Sequence, residues 1–272
     1  MNADTIIAGA IDIGNTRIKI LADNQFFAAD LSSAWQEAMH KYLWNFSGKS
    51  VLLGVSSVNP EAFAALEMEL KKRSNIRWKA LADVFREQNL VDISGIQGIG
   101  TDRVLSLIGA LHHALEHFPS RIAPIITIDC GTAVTVNALS TRRKCLGGAI
   151  LPGVGTQLRA LHHFTQQLPE VEVGFEDAVV GTSTAQAMRI GVVRGVAGAL
   201  KEITQTITER EFQGEVPMVI ITGGDAAIVL KALETWHIAP LHEPHLVLNG
   251  ASALMAQWMQ ESFTASGTAL LR

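Results

Sequence analysis

The chain has 272 residues, of which 48% are apolar and only 18% are charged, a composition typical of a folded protein with a large core. Its formal net charge of −4 argues against the basic surface that nucleic acid or an anionic membrane would attract, so we expect neither as a partner. The longest apolar runs, of about seven residues, are too short to span a membrane.

The first 120 residues predict strands interrupted by helices. Apolar or alternating runs bounded by turn residues predict strands at 5–11, 16–21, 25–28, 51–55 and 77–80. Helical periodicity predicts helices at 32–42 with a serine cap, at 60–72 with Asn59 as cap, and at 101–117.

The rest of the chain repeats the order of the opening. Strands are predicted at 125–128, 133–139, 145–150 and 217–222, and helices at 152–163, 184–211, 226–233 and 250–259. Each half begins with a strand, an Asp-x-Gly turn, two further strands and a helix. We therefore expect two duplicated domains, 1–120 and 121–272, with a cleft between them. Pro119 and Ser120, which follow a long helical pattern, suit the boundary.

The first chemical motif is Asp12-Ile13-Gly14-Asn15-Thr16-Arg17. A carboxylate at the mouth of a hairpin can hold hydrated Mg²⁺, and a glycine lets the backbone approach a phosphate closely. The alternative is an ordinary hairpin turn, in which Asp, Gly and Asn are common.

A second turn, Asp129-Cys130-Gly131-Thr132-Ala133, strengthens the phosphate interpretation, because opposed turns from two domains would hold a polyphosphate from both sides. Cys130 is interpreted as a residue of this turn that is not a nucleophile, and Cys145 as a core residue. A third turn, Ile221-Thr222-Gly223-Gly224-Asp225, follows an apolar strand and would let adenosine lie against the backbone; a purely structural turn is the alternative.

The segment Gly100-Thr101-Asp102-Arg103 opens the strongest predicted helix. Asp102 can be read as a helix cap or as a catalytic base, and Arg103 can serve as an anion clamp beside it.

Together these elements resemble the type III pantothenate kinases of the acetate and sugar kinase/heat-shock cognate/actin superfamily. The resemblance also includes Gly147-Gly148-Ala149-Ile150-Leu151-Pro152-Gly153 and Gly181-Thr182-Ser183-Thr184. It implies two actin-like (ribonuclease H-like) α/β domains, each with a mixed five-stranded sheet flanked by helices. The implied reaction is ATP-dependent phosphorylation of pantothenate to 4′-phosphopantothenate, the first step towards coenzyme A.

The resemblance also implies roles for individual residues. Asp102 would be the base, and Gly100, Thr101, Arg103, Thr184 and Ile93 would line the pantothenate site, with Thr184 supplied by the partner of a homodimer that shares its active sites. ATP would contact Asp12-Ile13-Gly14-Asn15-Thr16-Arg17-Ile18-Lys19, Thr132, Gly223 and Gly224. Asp12 would hold Mg²⁺, and Asp129 would hold K⁺ or NH₄⁺.

Ile93 is a departure, because family members usually carry a tyrosine there. Two alternatives stay open: a regulatory ATP-binding protein related to transcription accessory factors, and a kinase of the same superfamily that acts on a sugar or acetate. No basic segment followed by an apolar one, as in a signal peptide, occurs near residue 1, and two cysteines cannot form a disulfide framework. We therefore expect a cytoplasmic protein. Small and apolar residues on nearly all faces of the 184–211 helix favour a dimer.

Overall fold

The structure is a computed structural model that describes residues 6–23, 25–32, 34–85, 88–119 and 123–266, with side chains up to residue 261. Its strands are β1 (Ile7–Ile13), β2 (Arg17–Ala22), β3 (Gln25–Asp30), β4 (Val51–Ser57), β5 (Ile76–Ala80), β6 (Ile125–Cys130), β7 (Ala133–Leu139), β8 (Cys145–Pro152), β9 (Met218–Thr222) and β10 (Leu241–His242). Its helices are α1 (Trp35–Trp44), α2 (Pro60–Lys71), α3 (Leu81–Val84), α4 (Thr101–His117), α5 (Val154–Phe164), α6 (Thr184–Arg210), α7 (Ala226–Ala232) and α8 (Leu246–Ser266). No helix in the part of the chain described here is long and apolar enough to cross a membrane.

The first sheet has the strand order β3-β2-β1-β4-β5. β1 pairs antiparallel with β2 and parallel with β4, with Asp12 opposite Lys19 on one side and Ser56 on the other. The odd-numbered residues of β1, such as Ile11 and Ile13, face a core that also contains Trp35 and Leu66 of the helices. Because side chains alternate along a strand, Asp12 faces the opposite side of the sheet.

The second sheet repeats this arrangement with the order β10-β9-β6-β7-β8. β6 pairs antiparallel with β7 and parallel with β9, just as β1 pairs with β2 and β4. Its core combines Ile126 and Ile128 with Val192, Val196 and other buried residues of α6. The duplication and the predicted mixed five-stranded sheets are therefore confirmed.

The described residues group into two compact units. One contains the residues up to Val91, Ile99–His112 and those from Leu246 onward, and the other contains Asp92–Gly98 and His113–His245. The sequence did not anticipate that α8 belongs with the first unit. α8 packs there because Met255 lies over Gly54 of β4, where a β-carbon would be 2.5 Å from the Met255 Cγ. The limits 1–120 and 121–272 remain our proposal for the duplicated sequence segments.

Several element bounds differ from the prediction. Asp12 and Asp129 were expected in turns, but both lie inside strands, since β1 extends to Ile13 and β6 to Cys130. Pairing with β2 and β4 continues past Asp12 to Ile13, whereas Asp129 is the last residue of β6 that pairs with β9 and pairing with β7 continues to Cys130. This pairing keeps both aspartates in their sheets.

The predicted serine cap of the first helix is wrong as well. α1 begins at Trp35 after Ala34, which provides no side-chain cap, and Ser32 lies in the preceding turn. The buried positions Trp35, Met39 and Leu43, spaced four residues apart, fix this helix instead. Asn59 is confirmed as the cap of α2, because its Oδ1 accepts from the Ala62 amide at 3.1 Å. The short α3 and β10 were not predicted.

Candidate active site

The first phosphate motif forms the β1–β2 hairpin. The Gly14 amide donates to the Arg17 carbonyl at 2.9 Å, and Asn15, Thr16 and Arg17 are exposed. Ile13 and Ile18 are fully buried in the core, so only their backbone atoms can contact a ligand. The exposed Arg17 Nε donates to Asp30 Oδ1 at 2.7 Å. Such an exposed pair is weak enough to exchange for a phosphate.

Asp12 is half-buried near the end of β1. Its neighbours in register, Lys19 and Ser56, lie on the same face of the sheet, because paired residues on adjacent strands point to the same side. Among the described residues no group of three or more His, Cys, Asp or Glu side chains could hold a metal ion. A single carboxylate still suits Mg²⁺ that arrives with a nucleotide, since Mg²⁺ commonly binds one or two carboxylates together with substrate phosphates.

The segment from Gly100 to Arg103 begins α4, as predicted. The Gly100 carbonyl accepts from the amides of Arg103 at 3.2 Å and Val104 at 3.3 Å, which starts the helix. The Asp102 carboxylate folds back over Gly100, where a β-carbon would lie 2.5 Å from Asp102 Oδ1. Any larger residue at position 100 would displace this carboxylate.

A cavity of about 280 Å³ lies beside the start of α4. Its lining includes Thr101 together with Ser56 and Ser57 at the end of β4. The two serines were not predicted as site residues, because a Ser-Ser pair after an apolar strand carries no chemical signature by itself. A cavity of about 560 Å³ in the other unit, at the start of β9, contains none of the predicted site residues. Cavity size therefore does not mark the position of the motifs.

The second phosphate motif forms the β6–β7 turn. The Gly131 amide donates to the Ala133 carbonyl at 3.1 Å, which closes the turn, and Thr132 is exposed. Burial raises the pKa of the Cys130 thiol, and the carboxylates of Asp129 and Asp225 raise it further. The Cys130 thiol therefore stays protonated and unreactive, which agrees with its interpretation as a turn residue without a catalytic role.

The third glycine turn packs directly against the second. Gly223 has a φ of 99°, and a β-carbon there would lie 2.5 Å from both Asp129 Oδ1 and the Cys130 carbonyl oxygen. The Asp225 amide donates to the same Cys130 oxygen at 2.9 Å. A carboxylate and a carbonyl oxygen thus lie together at this point, and such oxygen donors suit a monovalent cation.

Asp225 was not proposed as a site residue from the sequence. Burial raises the pKa of its carboxyl group, whereas a hydrogen bond from the Gly155 amide and the charge of Arg159 partly oppose that rise. In the sequence, its position directly after two glycines was the only sign that Asp225 belongs with the site residues. The contact with Gly155 joins segments far apart in the chain, so local sequence patterns could not reveal it.

The two remaining predicted residues lie on other segments of the second unit. Ile93 is half-buried. The preceding residue, Asp92, connects this segment to the start of β8, because the Cys145 amide donates to the Asp92 carbonyl at 2.8 Å. Thr184 is the exposed first residue of α6, and Ser183 caps this helix by accepting from the Gln186 amide.

Comparison with known proteins places these motifs in one family. The profile of the type III pantothenate kinases matches residues 10–206. A type III pantothenate kinase of Legionella pneumophila (strain Corby) is 40% identical over 152 residues, 56% of this chain and 56% of that protein. The chain thus aligns with only about half of that relative. A type III pantothenate kinase of Synechococcus elongatus is 38% identical over 210 residues, 77% of this chain and 76% of that protein.

Comparison of structures supports the fold. An archaeal actin homolog superimposes with a TM-score of 0.50 at 12% identity, covering 93% of this chain and 99% of that chain. At this identity the likeness concerns the fold alone, and it agrees with two actin-like domains. The family profile spans the glycine turns of residues 12–17 and 129–133 and the start of α4. The chain therefore belongs to the type III pantothenate kinase family.

Proposed function

We propose that this protein transfers the γ-phosphoryl group of ATP to pantothenate and yields 4′-phosphopantothenate, the first step of coenzyme A synthesis. Family membership supports the reaction class. The observation that carries the proposal is the half-buried Asp102 carboxylate in the first turn of α4, folded over Gly100. The relatives that the chain matches are kinases, so a purely regulatory role is not favoured.

Asp102 acts as the general base. The primary hydroxyl of pantothenate is a weak nucleophile, and a carboxylate beside it accepts the proton as the oxygen attacks the γ-phosphorus. Thr101 and Arg103 flank this carboxylate at the start of α4, and Gly100 leaves room for it. These four residues form the reacting end of the pantothenate site.

The nucleotide is bound by the glycine turns. The exposed β1–β2 hairpin, with Asn15, Thr16, Arg17 and the Asp12–Lys19 register pair, contacts the phosphates through backbone amides and side-chain donors. In the second unit Thr132, Gly223 and Gly224 contact ATP. The close packing of these turns suits a nucleotide that lies against the backbone.

Two cations complete the nucleotide site. Asp12 holds Mg²⁺, and Asp129 with the neighbouring carbonyl oxygens holds K⁺ or NH₄⁺. Both ions supply positive charge that stabilises the charge on the transferring phosphoryl group. The glycine-turn motifs contain few basic residues, namely Arg17 and Lys19, which makes such compensation necessary.

The active form is a homodimer in which Thr184 reaches the partner's pantothenate site and Ile93 forms one wall. α6 buries one face, through Met188, Val192 and Val196, and not nearly all faces as the sequence suggested. Its exposed face carries Gly191, Gly195 and Gly198, each with open space around the α-carbon. Arg194 lies on the same face and donates to the Asp177 and Ala178 carbonyls, and the glycines beside it leave backbone open to close approach by a second chain. The protein works in the cytoplasm, where its two buried thiols stay reduced.

The decisive experiment is a substrate panel. ADP release is measured by a coupled assay with pantothenate, acetate, glucose or no acceptor, and mass spectrometry identifies the product. We expect turnover and a phosphorylated product with pantothenate only. ATP binding without turnover on any acceptor would support the regulatory alternative, and turnover with acetate or a sugar would assign another kinase of the superfamily.

A further inference from the structure

Arg159 lies on α5 beside the glycine turns of the second unit, although no sequence motif includes it. The start of α5 is fastened to the β6–β7 turn, because the Gly153 amide donates to the Thr132 carbonyl at 2.9 Å and the Thr156 hydroxyl donates to the same oxygen at 2.8 Å. Arg159 Nη2 in turn donates to the Thr156 hydroxyl oxygen at 3.2 Å. One side chain therefore separates the guanidinium from Thr132.

The same guanidinium is coupled to the third glycine turn. Its Nη1 lies 3.3 Å from the position that a β-carbon would occupy on Gly155. The Gly155 amide donates to the Asp225 carboxylate, and the Arg159 charge acts on that carboxylate. Arg159 thus lies against the first turn of α5, which contacts both Thr132 and Asp225.

The second and third glycine turns are acidic, which bears on the role of Arg159 beside them. The two turns carry the carboxylates of Asp129 and Asp225, and neither turn contains a lysine or arginine. A nucleotide adds several negative charges to this surface. A guanidinium offers five N–H donors in a planar array that matches phosphate oxygens, and the bond to Thr156 engages one of its nitrogens.

We propose that Arg159 binds the phosphate chain of the nucleotide and is a positioning residue for ATP. The assignment rests on the proposed kinase function and adds a residue outside the family motifs. Thr156 holds the guanidinium beside Thr132, and Asp225 balances its charge when no nucleotide is bound. Arg159 itself takes no part in proton transfer, which is the task of Asp102.

The test compares the binding of a hydrolysis-resistant ATP analogue with that of adenosine, using titration calorimetry on the full chain with Mg²⁺. We expect Arg159→Ala to weaken binding of the analogue about tenfold and to leave adenosine binding unchanged. Arg142→Ala is the matched control, because Arg142 is an exposed arginine in the β7–β8 turn, at the other end of β7 from Thr132. It should bind both ligands as the wild type does.

Equal affinity of Arg159→Ala and wild type for the analogue would overturn the assignment. So would a parallel loss of adenosine binding, which would indicate a merely structural role. If Arg159→Ala does not fold, Arg159→Gln decides, since it keeps the aliphatic stem and a polar end but loses the guanidinium and its charge; the same tenfold loss is expected. A wild type that binds neither ligand would instead refute the proposed function, and the inference with it.

Discussion

The two β-hairpins that carry the Asp-x-Gly motifs share one topology but differ in packing. In the β1–β2 hairpin a β-carbon on Gly14 would meet only the Arg17 carbonyl, at 3.6 Å, and the residues around it are exposed. Gly131, the equivalent residue of the β6–β7 turn, is as open as Gly14, since a β-carbon there would lie 3.6 Å from the Ala133 carbonyl oxygen. Other segments nevertheless pack onto this turn: a β-carbon on Gly153, just before α5, would overlap the Gly131 carbonyl oxygen, and Gly223 packs against Asp129. The first hairpin is therefore open, whereas the second is locked by neighbouring turns.

The helices that follow the two sheets differ as well. α4, after the first sheet, begins with Asp102 in its first turn, whereas α8, after the second sheet, has no acidic residue in its first turn. Although each helix follows the last strand of its sheet along the chain, Asp102 has no acidic counterpart at the start of α8.

The largest expected effect comes from removing the proposed base. Asp102→Asn keeps the shape of the side chain but cannot accept a proton, so we expect turnover to fall roughly 10²- to 10⁴-fold with the melting temperature unchanged. Glu37→Gln, an exposed acid in the first turn of α1, is the control and should retain full turnover. Near-normal turnover of Asp102→Asn would remove Asp102 from this role.

The next effect tests whether the glycine turn that packs onto the β6–β7 turn is more tightly packed than the β1–β2 hairpin. Gly223→Ala forces a side chain into a backbone with a φ of 99° and against Asp129, so we expect a loss of about 2–4 kcal/mol and a fall in Tm of roughly 5–10 °C. Gly14→Ala should shift Tm by less than about 2 °C. Scanning calorimetry of both variants measures the two shifts in Tm. Equal destabilisation would mean that the two turns are packed alike.

A smaller effect distinguishes the two carboxylates of the hairpins. If Asp129 holds the monovalent cation, turnover in a sodium buffer free of K⁺ and NH₄⁺ should be about tenfold lower than in KCl at equal ionic strength, because Na⁺ holds its water more tightly. Asp129→Asn should flatten the KCl titration, whereas Asp12→Asn should lower the rate and still respond to KCl. A flat titration of the wild type would exclude a cation requirement.

Much of this arrangement follows from local sequence. Periodicity gave the bounds of α4 correctly, and the repeated order of strand, turn and strand revealed the duplication. The glycine turns were found because glycine, aspartate and asparagine have strong local preferences. These signals act over a few residues, which is why they locate elements and motifs well.

Long-range contacts explain what the sequence could not provide. α8 joins the first sheet through Met255 and Gly54, and Asp225 meets Gly155, although each pair is far apart in the chain. Arg159 looks like any exposed helical arginine until its neighbours Thr156 and Asp225 are known. Even the position of Asp12 inside a strand depends on pairing with β4, and not on its own turn preference.

The smallest expected effect concerns the locked surface of the second unit. Burial raises the pKa of the Asp225 carboxyl in the folded protein, so the contribution of this group to stability is full below its unfolded pKa and is lost as pH rises through its folded pKa. Asp225→Asn removes this loss and can still accept from the Gly155 amide, so we expect its Tm to exceed that of the wild type by about 1–3 °C near pH 7.5. The difference should shrink as the pH is lowered towards about 4. Exposed Asp177→Asn is the control and should show no such trend. A lower Tm of Asp225→Asn at every pH would mean that attraction to Arg159 outweighs burial, and that the second turn is held together by charge as well as by close packing.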